Sequence, residues 1–190
     1  MRLHLASLTL AGLLLSGCSS PPVRFYTLGA PAIGNDLTAS TASATILAVD
    51  PVIVPDYLDS QDILVRNGDL LDRSANGRWA SRLSRGITDL VTAQLSRSWP
   101  SVFVTTHPTV GSPQTRLVIT INRLDITKSG QGTLEADWSF VPADEHHPVV
   151  HQRASFSTQG STATDDGITA VTRALVDQLA AKIGNSSPAM

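Results

Sequence analysis

Two stretches of the 190-residue chain repeat their apolar positions with a helical period. Between residues 78 and 99 the apolar side chains are Trp79, Leu83, Ile87, Leu90, Val91, Leu95 and Trp99. Steps of three and four place most of them on one stripe, which predicts an amphipathic helix. Asn76 stands where an N-cap is expected, and Pro100 where the helix must end. The second stretch starts at Thr164 or Asp165, either of which can cap, and aligns Ile168, Val171, Leu175, Leu179 and Ile183 ahead of a stop at Gly184.

The remaining apolar positions alternate or form short branched runs, predicting strands at 25–28, 45–52, 61–66, 69–73, 101–106, 115–128, 133–141 and 149–159. Asn67-Gly68 signals a hairpin. In the longest run Leu117, Ile119 and Ile121 share a face before the parity changes to Leu124 and Ile126, so a bulge is expected near Asn122 and Arg123. Leu134, Ala136, Trp138 and Phe140 alternate in the next run, and the last three strands read as a meander. Pro51 and Pro55 bracket a turn, and 29–43, rich in Ala, Gly, Ser and Thr, has no period. The fold class expected is α+β, a two-layer domain with a mixed or mostly antiparallel sheet and both main helices packed on one face.

The N-terminus changes this picture. Arg2 precedes an apolar run over residues 3–15, and Leu15-Ser16-Gly17-Cys18 has the form of a bacterial lipobox. The run is shorter than the roughly 20 residues a spanning helix needs. Cleavage before Cys18, the only cysteine, would leave a thiol and a freed amine to carry two or three acyl chains, enough for stable anchoring. The expected organisation is a signal peptide at 1–17, a lipidated tether at 18–24, one periplasmic domain at 25–184 and a frayed tail at 185–190. Ser19, in place of an inner-membrane-retaining Asp, favours the outer membrane, facing the periplasm. The tether reaches roughly 20 Å at most, so the domain is held close to its membrane.

Composition adds mainly exclusions. About 170 residues after cleavage suffice for one core, and with one cysteine no internal disulfide staples it. The formal net charge is −2 without a Lys/Arg block, which gives nucleic acid no electrostatic footprint. His146, His147 and His151 cluster near a predicted loop but have no metal-ligand spacing, and a solvated hairpin end is the default reading. Asp56 with Asp59, and Asp144 with Glu145, lie beside prolines and read as turn formers rather than an acid/base pair. Nucleophile, phosphate-loop and dinucleotide motifs are missing, so no enzyme, cofactor or metal is expected. Trp79, Trp99 and Trp138 read as core residues before a binding platform.

Several stretches together resemble one family. Phe25-Tyr26-Thr27-Leu28 shortly after the lipobox, Val54-Pro55-Asp56-Tyr57-Leu58-Asp59 leading into Ile63-Leu64-Val65-Arg66, and Arg78-Trp79-Ala80 opening the first helix are similar to the ABC-type transport auxiliary lipoproteins, the PqiC-like group. Ser60 departs from that pattern, since many members carry Arg there. The resemblance implies an outer-membrane lipoprotein that docks an MCE-domain protein and its ABC transporter, supports membrane integrity, and forms a homo-oligomer or touches phospholipid. Cys18 is then the lipidation site. Pro55, Asp56, Tyr57, Leu58 and Asp59 form a candidate partner or subunit contact, against which stands an internal turn packing Tyr57 and Leu58 onto the body. A structural or assembly lipoprotein with no role in lipid transport is the rival reading.

Overall fold

A computed structural model of the chain describes residues 21–29, 45–107 and 112–186. Cys18, most of the connection expected at 29–43 and the last four residues lie outside the described residues. The elements are β1 (Arg24–Tyr26), β2 (Thr45–Val49), β3 (Asp62–Asn67), β4 (Leu70–Trp79), α1 (Leu83–Ser98), β5 (Val102–Thr105), β6 (Thr115–Ile126), β7 (Gln131–Pro142), β8 (Val150–Gln159) and α2 (Asp165–Gly184).

The class is α+β as expected, but the strands form two sheets, ordered β1-β4-β3 and β5-β2-β6-β7-β8. β6 is the spine. One of its edges pairs antiparallel with β7 from Thr115 to Ile126. The other is lined in turn by β2, by Ile53 opposite Thr120, and by the end of β3, where Arg66 bridges to Thr127. That last bridge joins the two sheets. β6, β7 and β8 form the expected meander, and the register shifts between Ile121 and Arg123, where the change of apolar parity predicts it.

Leu117, Ile119 and Ile121 of β6 and Leu134, Ala136, Trp138 and Phe140 of β7 are buried against both helices. The helices run side by side in the same direction: Gln94 Nε2 donates to Asp177 Oδ1 at 2.7 Å, and Trp99 Nε1 to the Gly184 carbonyl at 3.0 Å. Thr164 caps α2, its hydroxyl accepting from the Gly167 amide. Gly184 is the last helical residue rather than a left-handed stop, and Asn185 closes the helix.

Three local expectations need correction. α1 starts at Leu83, and Arg78 and Trp79 close β4, with Ala80 just past it, instead of opening the helix. β4 continues this far because it pairs on both sides: the Trp79 amide donates to Gln61 O at 2.7 Å and the Ala80 amide to Tyr26 O at 2.7 Å. Trp79 reaches the core from the strand, and its four-residue step to Leu83 imitates a helical period. Asn76 is accordingly a strand residue, and Arg82 holds the N-cap position without a side-chain cap. The hairpin turn also sits one residue later than its motif, with Asn67 opposite Leu70 and Gly68-Asp69 between them. Gly68 has φ 62°, while no described non-glycine residue has positive φ. This is the type II′ arrangement, with glycine first, rather than the Asn-Gly type I′.

Candidate functional site

The turn at 55–59 is built from both sides. The Leu58 amide donates to Pro55 O at 2.8 Å and the Asp59 amide to Asp56 O at 3.2 Å, closing a compact loop that drives Leu58 into the core. Asp59 holds the start of α1: Ser84 Oγ donates to its Oδ1 at 2.6 Å, and Arg82 Nη1 to its carbonyl at 3.1 Å. α1 has no acidic residue in its own first turn, so Asp59 supplies from outside the negative charge that a helix N-terminus favours. Pro55 is half-buried, Asp56 is exposed and Tyr57 is 41 % exposed. Of the five candidate contact residues, the structure commits Leu58 and Asp59 to the body and leaves Asp56 and Tyr57 facing outward.

Beneath Tyr57 lies the charged joint between the sheets. Arg66 Nε donates to Asp125 Oδ1 at 2.6 Å, and Arg123 Nε donates to Oδ2 at 2.7 Å. The Asp125 side chain is only 8 % exposed. Burial alone would push its carboxyl up, but hydrogen bonds from Arg123 and Arg66, together with their charges, outweigh this and hold it below the usual carboxylate range. The bond to Asp125 raises the Arg66 guanidinium in turn, and the Tyr57 phenol adds a weaker contribution. The side chains of Tyr57, Arg66 and Asp125 thus link the turn, β3 and β6 beside the backbone bridge between Arg66 and Thr127.

Tyr57 and Arg66 are visible in the sequence pattern. Asp125 is missed there, although a lone carboxylate between Leu124 and Ile126, just past a bulge, is a signal of a buried ion pair. The histidines divide. His146 Nδ1 and His147 Nδ1 lie 2.8 and 3.3 Å from Asp144, while His151 Nδ1 lies 2.7 Å from Ser139 Oγ on the sheet. Among the described residues no group of three or more His, Cys, Asp or Glu side chains is placed to hold a metal ion. Trp79 and Trp138 are buried, and Trp99 packs tilted against Phe140 with ring centroids 6.2 Å apart, all three serving the core. An open groove of about 650 Å³ runs between β1 and α2, lined by Phe25, Tyr26, Thr27, Asp166, Thr169 and Arg173 among others. Sequence periodicity gives no sign of it, because it depends on how β1 seats beside α2.

Comparison with known proteins adds three findings. Residues 26–184 match the family described as ABC-type transport auxiliary lipoprotein component. The intermembrane transport lipoprotein PqiC of Escherichia coli K12 is 32 % identical over 133 residues, covering 68 % of this chain and 70 % of PqiC. The crystal structure of protein XCC0632 from Xanthomonas campestris superposes with a TM-score of 0.66 at 16 % identity, over 85 % of this chain and 92 % of that one, and shares the fold.

Proposed function

This chain belongs to the ABC-type transport auxiliary lipoprotein family, and from that premise we propose that it is a lipid-anchored, periplasm-facing component of an envelope transport system. In this reading it docks an MCE-domain assembly and its ABC transporter at the outer membrane, supports membrane integrity, and performs no catalytic step itself. One observation carries the proposal: the family match spans the whole folded body, from Tyr26 to Gly184, directly behind a lipobox ending at Cys18. The relative named for intermembrane transport supports it.

Within the proposal, acyl chains on Cys18 hold the body at the membrane and the turn at 55–59 supplies the contact. Leu58 and Asp59 fix that turn rigidly, which presents Asp56 and Tyr57 at little entropic cost to a partner.

A crosslinking pull-down of the intact lipoprotein from its native envelope, with Cys18→Ser as control, tests this function. Anchor-dependent recovery of an MCE-domain protein is expected. Recovery of outer-membrane assembly components without an MCE-domain protein sinks the transport reading and favours a structural lipoprotein.

A further inference from the structure

We propose that the tip of the β3–β4 hairpin is a second membrane contact, its leucines seated in the same phospholipid leaflet that holds the acyl chains of Cys18. The inference rests on the anchor reading above and goes beyond it.

Direction and length carry the argument. β1 runs parallel to β4, with Arg24 opposite Gly77 and Tyr26 opposite Trp79. Followed back toward the N-terminus, the chain therefore heads toward the hairpin tip. Six residues separate Arg24 from Cys18 (24 − 18), and seven positions separate Gly77 from Leu70 (77 − 70). At about 3.3 Å per extended residue the tether spans at most about 20 Å, and the tip projects about 17 Å past the same level, because a bulge sets the stretch of β4 from Arg78 to Leu70 opposite only Asp62 to Asn67 of β3. Even a fully extended tether leaving along the strand direction therefore holds the bilayer within a few ångströms of the tip. Any slack brings the two closer still.

The chemistry of the tip fits that position. The turn itself is polar, with Asp69 exposed at its apex, but the strand residues that leave it are apolar and open to solvent: Leu70 is 66 % exposed and Leu71 36 % exposed. Cations with long stems flank them. Arg73 is 61 % exposed, and Lys128, on the β6–β7 turn bridged to the hairpin, is 59 % exposed. Their partners Asp62 and Asp72 offset these charges, so the tip is held by apolar insertion with basic side chains at headgroup depth and not by a strong positive field. The loop bearing His146 lies at the far end of the meander, about 30 Å away along β8, because β8 starts beyond that loop and ends where Gln159 Nε2 donates to Ser129 O at 2.7 Å.

The lone cysteine makes the test specific, since lipidation consumes its thiol. Full-length Leu70→Cys and His146→Cys lipoproteins, labelled with an environment-sensitive thiol fluorophore, are reconstituted into vesicles of phosphatidylethanolamine and phosphatidylglycerol. The label at position 70 is expected to shift to the blue and to lose its emission several-fold when the lipids carry a spin-label quencher. The label at position 146 stays water-like and unquenched. If the protein floats with the vesicles while both labels stay water-like, the hairpin contact is overturned and the anchor stands. A blue shift at position 70 without lipid quenching marks a protein contact and also overturns the inference. If Cys18 itself takes the fluorophore and the protein fails to float, the anchor reading falls and takes the hairpin contact with it.

Discussion

Arg66→Ala removes the donor 2.6 Å from Asp125 and leaves a carboxylate that is 8 % exposed to Arg123 alone. A lost hydrogen bond to a buried charge costs about 1.5–3 kcal/mol, read as a lower urea midpoint at unchanged slope. Arg123→Ala is expected to cost less, because its side chain is 50 % exposed. The pH dependence has a definite sign. The Asp125 carboxyl is lowered in the folded protein, so its contribution is complete above the ordinary carboxylate value of about 3.9 and is lost as pH falls below it toward the folded value. Asp125→Asn is therefore expected to be less stable at neutral pH and to show a shallower loss of stability in acid. An acid slope equal to that of the unsubstituted chain would contradict the assignment. Asp72, Asp137 and Asp144 are also held low by Lys128, Arg153 and His146 respectively, so the comparison reads the difference between the two slopes. At this scale the sequence pattern shows Tyr57 and Arg66 but not the carboxylate that pairs with Arg66, because pairing across 59 positions leaves no local period.

Single elements succeed or fail in the sequence according to whether their pattern is local. α2 carries its cap, its stripe and its end between Thr164 and Asn185, and its start is legible at Thr164. Thr164→Ala is expected to cost about 1 kcal/mol and Thr164→Ser much less, a contrast that thermal unfolding resolves. The start of α1 is illegible because the length of β4 is decided by β1 and by Gln61, fifty and more residues away from Tyr26 to Trp79 and eighteen from Gln61 to Trp79. The seat of α2 on β7 is likewise set by a tertiary contact. A Cβ on Gly132 would lie 2.6 Å from Val171 Cγ1 and 3.0 Å from Leu175 Cδ1. Gly132→Ala must displace the Val171 and Leu175 side chains, an overpacking cost of about 1–3 kcal/mol measurable by urea unfolding. An unchanged midpoint would show that the helix has room to move.

For the whole molecule, apolar parity gives the layers, the meander and the bulge, whereas the division into two sheets is set by where β6 exchanges partners along one edge. That arrangement has a polarity. The β3–β4 hairpin and the β6–β7 turn share one end, toward which the N-terminal side of β1 faces, and the His146 loop lies at the other. An acyl anchor on Cys18 would turn this polarity into an orientation, with the leucine tip toward the bilayer and the histidine loop toward the periplasm. The proposed docking and the proposed membrane contact alike depend on that one modification. The most direct measurement is mass spectrometry of the N-terminal peptide from protein recovered in separated inner and outer membranes. A mature chain that begins at Cys18, carries diacylglyceryl and acyl mass, and is found in the outer-membrane fraction is expected. A first residue other than Cys18, or an unmodified thiol there, would contradict the anchor reading.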